Sequence, residues 1–199
     1  MKKIIIMMLS VLLFTGCTVV RIDTDKIDTI INVVLSKDNS LYNTIGQGYK
    51  YYKPRGVTMI DSNNYNDKLY ANGYNYYLYV DITSFYYKKE LNYQVNKEAY
   101  YSKFIDINNK QGYLEINKHT DDYYLVEFMY NYAKMEALVE EKDVNDVVLD
   151  ATYILSTIKY NSSVIKITLD EEYLISKEEI YDIFTPKKEE IIDNTIKID

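Results

Sequence analysis

Apolar residues recur at helical spacing near both ends of the chain and alternate with polar ones in between. From Asp23 to Lys37, the residues Ile27, Ile30, Ile31, Val34 and Leu35 share one helical face, and Asp23, Thr24 and Asp25 can cap and charge its start. The polar face of this segment is poor in Lys and Arg, so it is expected to cover a sheet rather than lie on a membrane. Residues 43–48 carry two glycines and read as a loop. Residues 69–71 and 74–87 flank Asn72-Gly73, a pair suited to the positive φ angles of a type I′ turn, and read as a hairpin. In its second arm Tyr74, Tyr76, Leu78, Val80 and Ile82 form the more apolar face.

Further strands are expected at residues 100–107, 113–117 and 123–130, the last two paired around residues 118–122. A turn near Asn131 leads to a strand over residues 134–139, where Met135, Ala137 and Val139 point one way. Asp143 is placed to cap a helix whose apolar stripe, Val144, Val147, Val148, Ala151, Ile154, Leu155 and Ile158, continues to Lys159, with Asn161 as its stop. Residues 164–169 read as a strand or extended cover. Ser176-Lys177-Glu178-Glu179 has the form of a capping box opening a short helix that Pro186 ends. The pattern predicts an α+β domain over residues 24–185, an antiparallel sheet of about five to seven strands flanked by amphipathic helices. Residues 186–199 form a charged, partly ordered tail.

Ahead of this domain, Lys2-Lys3, an apolar run from Ile4 to Phe14, and Thr15-Gly16-Cys17 have the parts of a secretory signal. The run is too short to span a bilayer of about 30 Å as a helix. Leu13-Phe14-Thr15-Gly16-Cys17 resembles the lipobox of bacterial lipoproteins. That resemblance implies a signal peptide over residues 1–16, cleavage before Cys17, acylation of its thiol, and a lipidated tether over residues 17–23. It places the domain on the extracytoplasmic side of a cell membrane. Cys17 is the sole cysteine, so no intramolecular disulfide can staple the fold.

The net charge of −7, made more negative when Lys2 and Lys3 leave with the leader, repels phosphate backbones and excludes nucleic acid as an expected partner. The 24 tyrosines accord with AT-rich coding, yet their rings suit a half-buried pleated surface. Tyr77, Tyr79, Tyr86 and Tyr87 are candidate ligand-binding residues on an exposed sheet face. The function expected is a tethered binding or assembly module, without cofactor or enzymatic activity, for an envelope protein or polymer. The alternative is a glycan hydrolase using Glu115 and Glu127 on neighbouring strands.

Other chemistry is sparse. His119, the only histidine, lies in Lys118-His119-Thr120-Asp121-Asp122, a turn composition. Residues 61–67 offer oxygen ligands at alternate positions as a calcium loop does, but lack the glycine at the sixth place, and Asn72 stands at the twelfth in place of glutamate. They read better as a solvated turn, and no metal is expected. Glu140, Glu141, Asp143 and Asp146 read as a helix start.

Tyr51-Tyr52-Lys53-Pro54-Arg55-Gly56, the meander that follows it, and a late helix ending Ile154-Leu155-Ser156-Thr157-Ile158 resemble the Mog1/PsbP-like group over residues 49–160. Val57 stands where that group often has tryptophan. The resemblance implies a helix-flanked antiparallel sheet and a binding or assembly role, and brings no catalytic residues.

Overall fold

A computed structural model describes residues 23–63 and 65–171. The leader with Cys17, the capping-box helix and the charged tail lie outside the described residues. The described residues open on helix α1 (Thr24–Leu35), whose first turn is capped by Asp23 accepting from the Lys26 amide. Ile27, Ile30, Ile31 and Leu35 are buried, so the amphipathic stripe points inward as its spacing predicts. Short strands β1 (Thr44–Ile45) and β2 (Tyr49–Tyr51) follow; the first lies inside the stretch expected to be loop.

The main sheet begins with the meander β3 (Thr58–Asn63), β4 (Asn66–Ala71) and β5 (Tyr74–Val80). After helix α2 (Ile82–Tyr86) and a strap over residues 87–100, a second meander runs β6 (Tyr101–Ile107), β7 (Lys110–Lys118), β8 (Tyr123–Tyr130) and β9 (Ala133–Glu140). The two meanders join through antiparallel β5–β9 pairing, which gives a seven-stranded sheet of order β3-β4-β5-β9-β8-β7-β6. Asn72-Gly73, Asn108-Asn109 and Asn131-Tyr132 all take positive φ at the hairpin tips, the geometry expected of the first pair. Helix α3 (Val144–Ser156), strand β10 (Lys159–Tyr160) and helix α4 (Ser162–Glu171) complete the described chain. β10 pairs with β2 in a small second sheet of order β1-β2-β10. The fold is α+β.

Helices α1 and α3 lie on one face of the main sheet. The core there joins Val144, Val147, Val148, Ala151, Ile154 and Leu155 of α3 to the α1 stripe and to Leu114, Val126, Phe128, Met135, Ala137, Leu78 and Val80 of the strands. The helix starts are tied together: the Asn145 amide donates to the Asp23 carbonyl at 3.2 Å and accepts from its N–H at 3.3 Å.

Four sequence expectations are corrected. The strand expected over residues 74–87 ends at Val80, because the Asp81 side chain accepts from the Ser84 amide at 2.8 Å and starts α2. Residues 164–169 are helical: Asn161 caps α4 by accepting from the Ser163 and Val164 amides, and Ile165 and Thr168 turn inward three residues apart. Asp143 caps nothing; it sits in a 3₁₀ turn (Glu141–Asp143) and accepts from the Tyr74 hydroxyl. The stretch 61–67 is solvated only in part: Asp61, Ser62 and Asn63 end β3 exposed, whereas Asn66 and Asp67 open β4 buried, Asp67 2% exposed on the core face beneath β2. Among the described residues no group of three acidic, histidine or cysteine side chains is gathered to hold a metal ion.

Candidate functional site

With α1 and α3 on one face, the register of the strands decides what the other face presents. Cross-strand pairing lines up Ser102, Glu115, Glu127, Glu136, Tyr77, Lys68 and Asp61 in one row across all seven strands. The next row is Phe104, Tyr113, Met129, Lys134, Tyr79 and Asn66, and on the other side Leu125 stands opposite Leu138. Successive side chains in a strand point to opposite faces, so these rows are the complement of the buried core.

The strap folds back over the β6–β7 part of this face. Tyr93 stacks on Tyr113 with centroids 4.1 Å apart and planes 4° from parallel. Its hydroxyl donates to Glu115 at 2.6 Å, and the Asn96 and Asn117 amides donate to the same carboxylate at 2.9 and 2.8 Å. Burial opposes ionisation of Glu115, but these three donors outweigh it and hold its carboxyl below the usual range. Glu127 accepts from the Tyr113 hydroxyl. Glu136 pairs with Lys134 at 3.0 Å, both side chains largely buried. Burial raises the Glu136 carboxyl, and Glu127 across the strand adds to the rise against the opposing ammonium of Lys134. Glu115 and Glu136, two acids of one row, are thus pushed in opposite directions by their neighbours.

No protein-family model, characterised protein or solved structure matches this chain. The reading of the site therefore rests on its own geometry.

The candidate tyrosines do not form one exposed patch. Tyr77 is 9% exposed and lies within the Glu136–Lys68 row, with the Lys68 ammonium 5.6 Å from its ring centroid. Tyr79 is half-buried one row away. Tyr86 and Tyr87 belong to the end of α2, off the sheet, their rings edge-to-face at 5.3 Å. Glu115 and Glu127, by contrast, stand directly opposite each other as hairpin pairing requires. Glu136, Tyr113 and Tyr93 were not singled out from the sequence. Glu136 could have been found by continuing the register from Glu127 across the Asn131 turn, whereas the Tyr93 stack depends on the path of the strap. His119 lies in the β7–β8 turn, its amide bonded to the Tyr123 carbonyl.

The displacement of Glu136 has a thermodynamic consequence. A carboxyl with a raised folded pKa contributes stability that is present below the unfolded value of about 4.3 and lost as pH rises through the folded one. Asp150, raised by burial, acts in the same sense, while Glu115 and Asp28, held low, act only at more acid pH. Glu136→Gln keeps an oxygen for Lys134 and removes the charge. It is expected to flatten the decline in stability between pH 5 and 8 and to gain about 0.5–1 kcal/mol at pH 8, read from urea midpoints across that range. A variant with the wild-type slope would show that Glu136 ionises freely in the folded protein.

Proposed function

We propose that this protein is an extracytoplasmic binding module, held to a membrane by lipid on Cys17, that engages an envelope protein or polymer with the open face of its main sheet. The observation that carries this reading is the uneven covering of the sheet: α1 and α3 pack on one face, while the strap lies over the β6–β7 part of the other. Tyr79, Met129, Leu125 and Leu138 are half-buried in fixed register on the face away from the helices. Such side chains offer contact area at little further loss of conformational freedom. The loose Mog1/PsbP-like resemblance, with its binding and assembly roles, accords with this reading. The acids favour binding over catalysis, since Glu115 and Glu127 are already engaged by tyrosine hydroxyls and, for Glu115, by two amides.

The test is in-cell crosslinking with mass spectrometry on wild type and on Tyr79→Ser with Leu138→Ser, checked for an unchanged urea midpoint. Partners captured by the wild type are expected to fall at least tenfold in the variant; an undiminished set would remove this face from the reading.

A glycan hydrolase remains a second reading for one reason: Glu115 is held low and Glu136 high on either side of Glu127, the kind of split that assigns acid and base roles. Peptidoglycan hydrolysis by the wild type that disappears in both Glu115→Gln and Glu136→Gln would establish it. Hydrolysis that is absent, or that survives both changes, would remove it.

A further inference from the structure

For an acidic chain, the end of the molecule where α1 stops is unusually rich in lysine. Lys37 follows α1, Lys110 opens β7 and Lys159 lies in β10; together with Asp38, Asn108 and Tyr130 they line a cleft of about 310 Å³. Lys110 also lines a second cleft of about 450 Å³, where Lys88 and Lys89 follow α2. Lys159 also lines a third, of about 500 Å³, with Lys50 of β2. Lys110 is a wall of the first and second clefts and Lys159 of the first and third, and Lys159 stands opposite Lys50 in the small sheet, so Lys89, Lys110, Lys159 and Lys50 mark a track across adjoining clefts.

The carboxylates on this track are Asp38, Glu90 and Asp106, three against six lysines. Asp38 is committed, accepting from the Lys159 ammonium at 2.6 Å. Among the described residues no carboxylate lies within ion-pair distance of Lys88, Lys89 or Lys110. Burial, and then the neighbouring Lys159, hold the Lys110 ammonium below its usual range, with only Asp38 opposing. Asp38, already paired with Lys159, is thus the one carboxylate acting on Lys110 among the described residues.

We propose that this track binds a multivalent phosphate-bearing anion, laid from Lys89 past Lys110 to Lys159, with Asp38 as its internal competitor. Lysine presents a compact point charge suited to phosphate, and several such charges in line favour a chain of phosphates over a single one. The headgroups of the anchoring membrane are not the expected source. The track lies at the Leu35 end of α1, whereas the lipidated segment joins at Asp23, twelve helical residues or about 18 Å away; this point alone rests on the tethered reading.

The experiment is calorimetric titration of the full chain in non-ionic detergent, at about 0.15 M salt, with inorganic pyrophosphate and with long-chain polyphosphate. Polyphosphate is expected to bind at least tenfold more tightly than pyrophosphate. Lys110→Gln should weaken it about fivefold, Asp38→Asn should tighten it about threefold, and Lys142→Gln in the 3₁₀ turn after β9 should leave it unchanged. Absence of binding, or equal losses for Lys142→Gln and Lys110→Gln, would overturn the proposal. So would capture of Cys17→Ala protein by phosphatidylglycerol vesicles that Lys110→Gln abolishes, which would make the ligand a membrane headgroup. Matched urea midpoints exclude misfolding as the cause of any loss.

Discussion

Replacing Asp67 by alanine is expected to cost the fold about 3–4 kcal/mol, the largest stability loss anticipated from any single polar side chain here. Asp67 accepts from the Tyr51 hydroxyl at 2.8 Å, from Ser62 at 2.5 Å and, at the limit of hydrogen bonding, from Tyr49 at 3.5 Å. Both tyrosines are buried and stack 6.3 Å apart, and burial followed by the Asp67 charge holds their hydroxyls firmly protonated as donors. Alanine would leave those donors in a dry site, each costing about 1–3 kcal/mol, partly offset because no carboxylate need be desolvated. Asp67→Asn keeps an acceptor and should cost about 1 kcal/mol. Asp67→Leu combined with Tyr49→Phe and Tyr51→Phe removes donors and acceptor together and should recover most of the loss, since a matched apolar replacement leaves nothing unpaired. Urea unfolding of the three variants distinguishes these cases. A loss below 1 kcal/mol for Asp67→Ala would mean that water reaches the tyrosine hydroxyls and that the contact does not fasten the small sheet to the large one.

That contact also marks the limit of what the sequence discloses. Asp67 falls in a run of Asp, Ser and Asn that resembles loop. Only the arrival of β2, carrying Tyr49 and Tyr51 from 18 and 16 residues away, makes the site dry. Features set by neighbours in the chain were legible. The stripes of α1 and α3 are buried as spaced, Asn72-Gly73 forms the tight turn, and the alternation in β8 and β9 gives the observed register. Features set by competition between local signals were not. Alternation carries on past Val80 through Ile82, yet Asp81 can satisfy an amide three residues on, and the cap prevails over the strand. Val164, Ile165, Ile167 and Leu169 fit either period, and Asn161 decides for the helix. Of the candidate face, the Glu115–Glu127 pairing could be read from one hairpin. Its continuation to Glu136 and Tyr77 needs the β5–β9 join, which brings together strands more than fifty residues apart in sequence.

Loss of the single thiol should have the largest effect of all on where the protein resides. Cys17→Ala is expected to shift it almost wholly from the membrane to the soluble fraction and to abolish incorporation of a clickable palmitate analogue. Each buried methylene contributes about 0.8 kcal/mol, so two acyl chains make a stable anchor where one is marginal. The fold makes the comparison a clean one. Helix α1 has an apolar face that could otherwise lie in a bilayer surface, but Ile27, Ile30, Ile31 and Leu35 are buried in the core shared with α3. Among the described residues no helix is long and apolar enough to cross a membrane. Asp23, clamped to Asn145, is six residues after Cys17, and six residues of chain reach at most about 20 Å. The α1–α3 starts would then face the anchoring membrane, with the lysine track at the opposite end of α1. Retention of Cys17→Ala in the membrane fraction, or persistent labelling, would sink the lipid-anchored reading while leaving the open sheet face and the lysine track to be judged by their own tests.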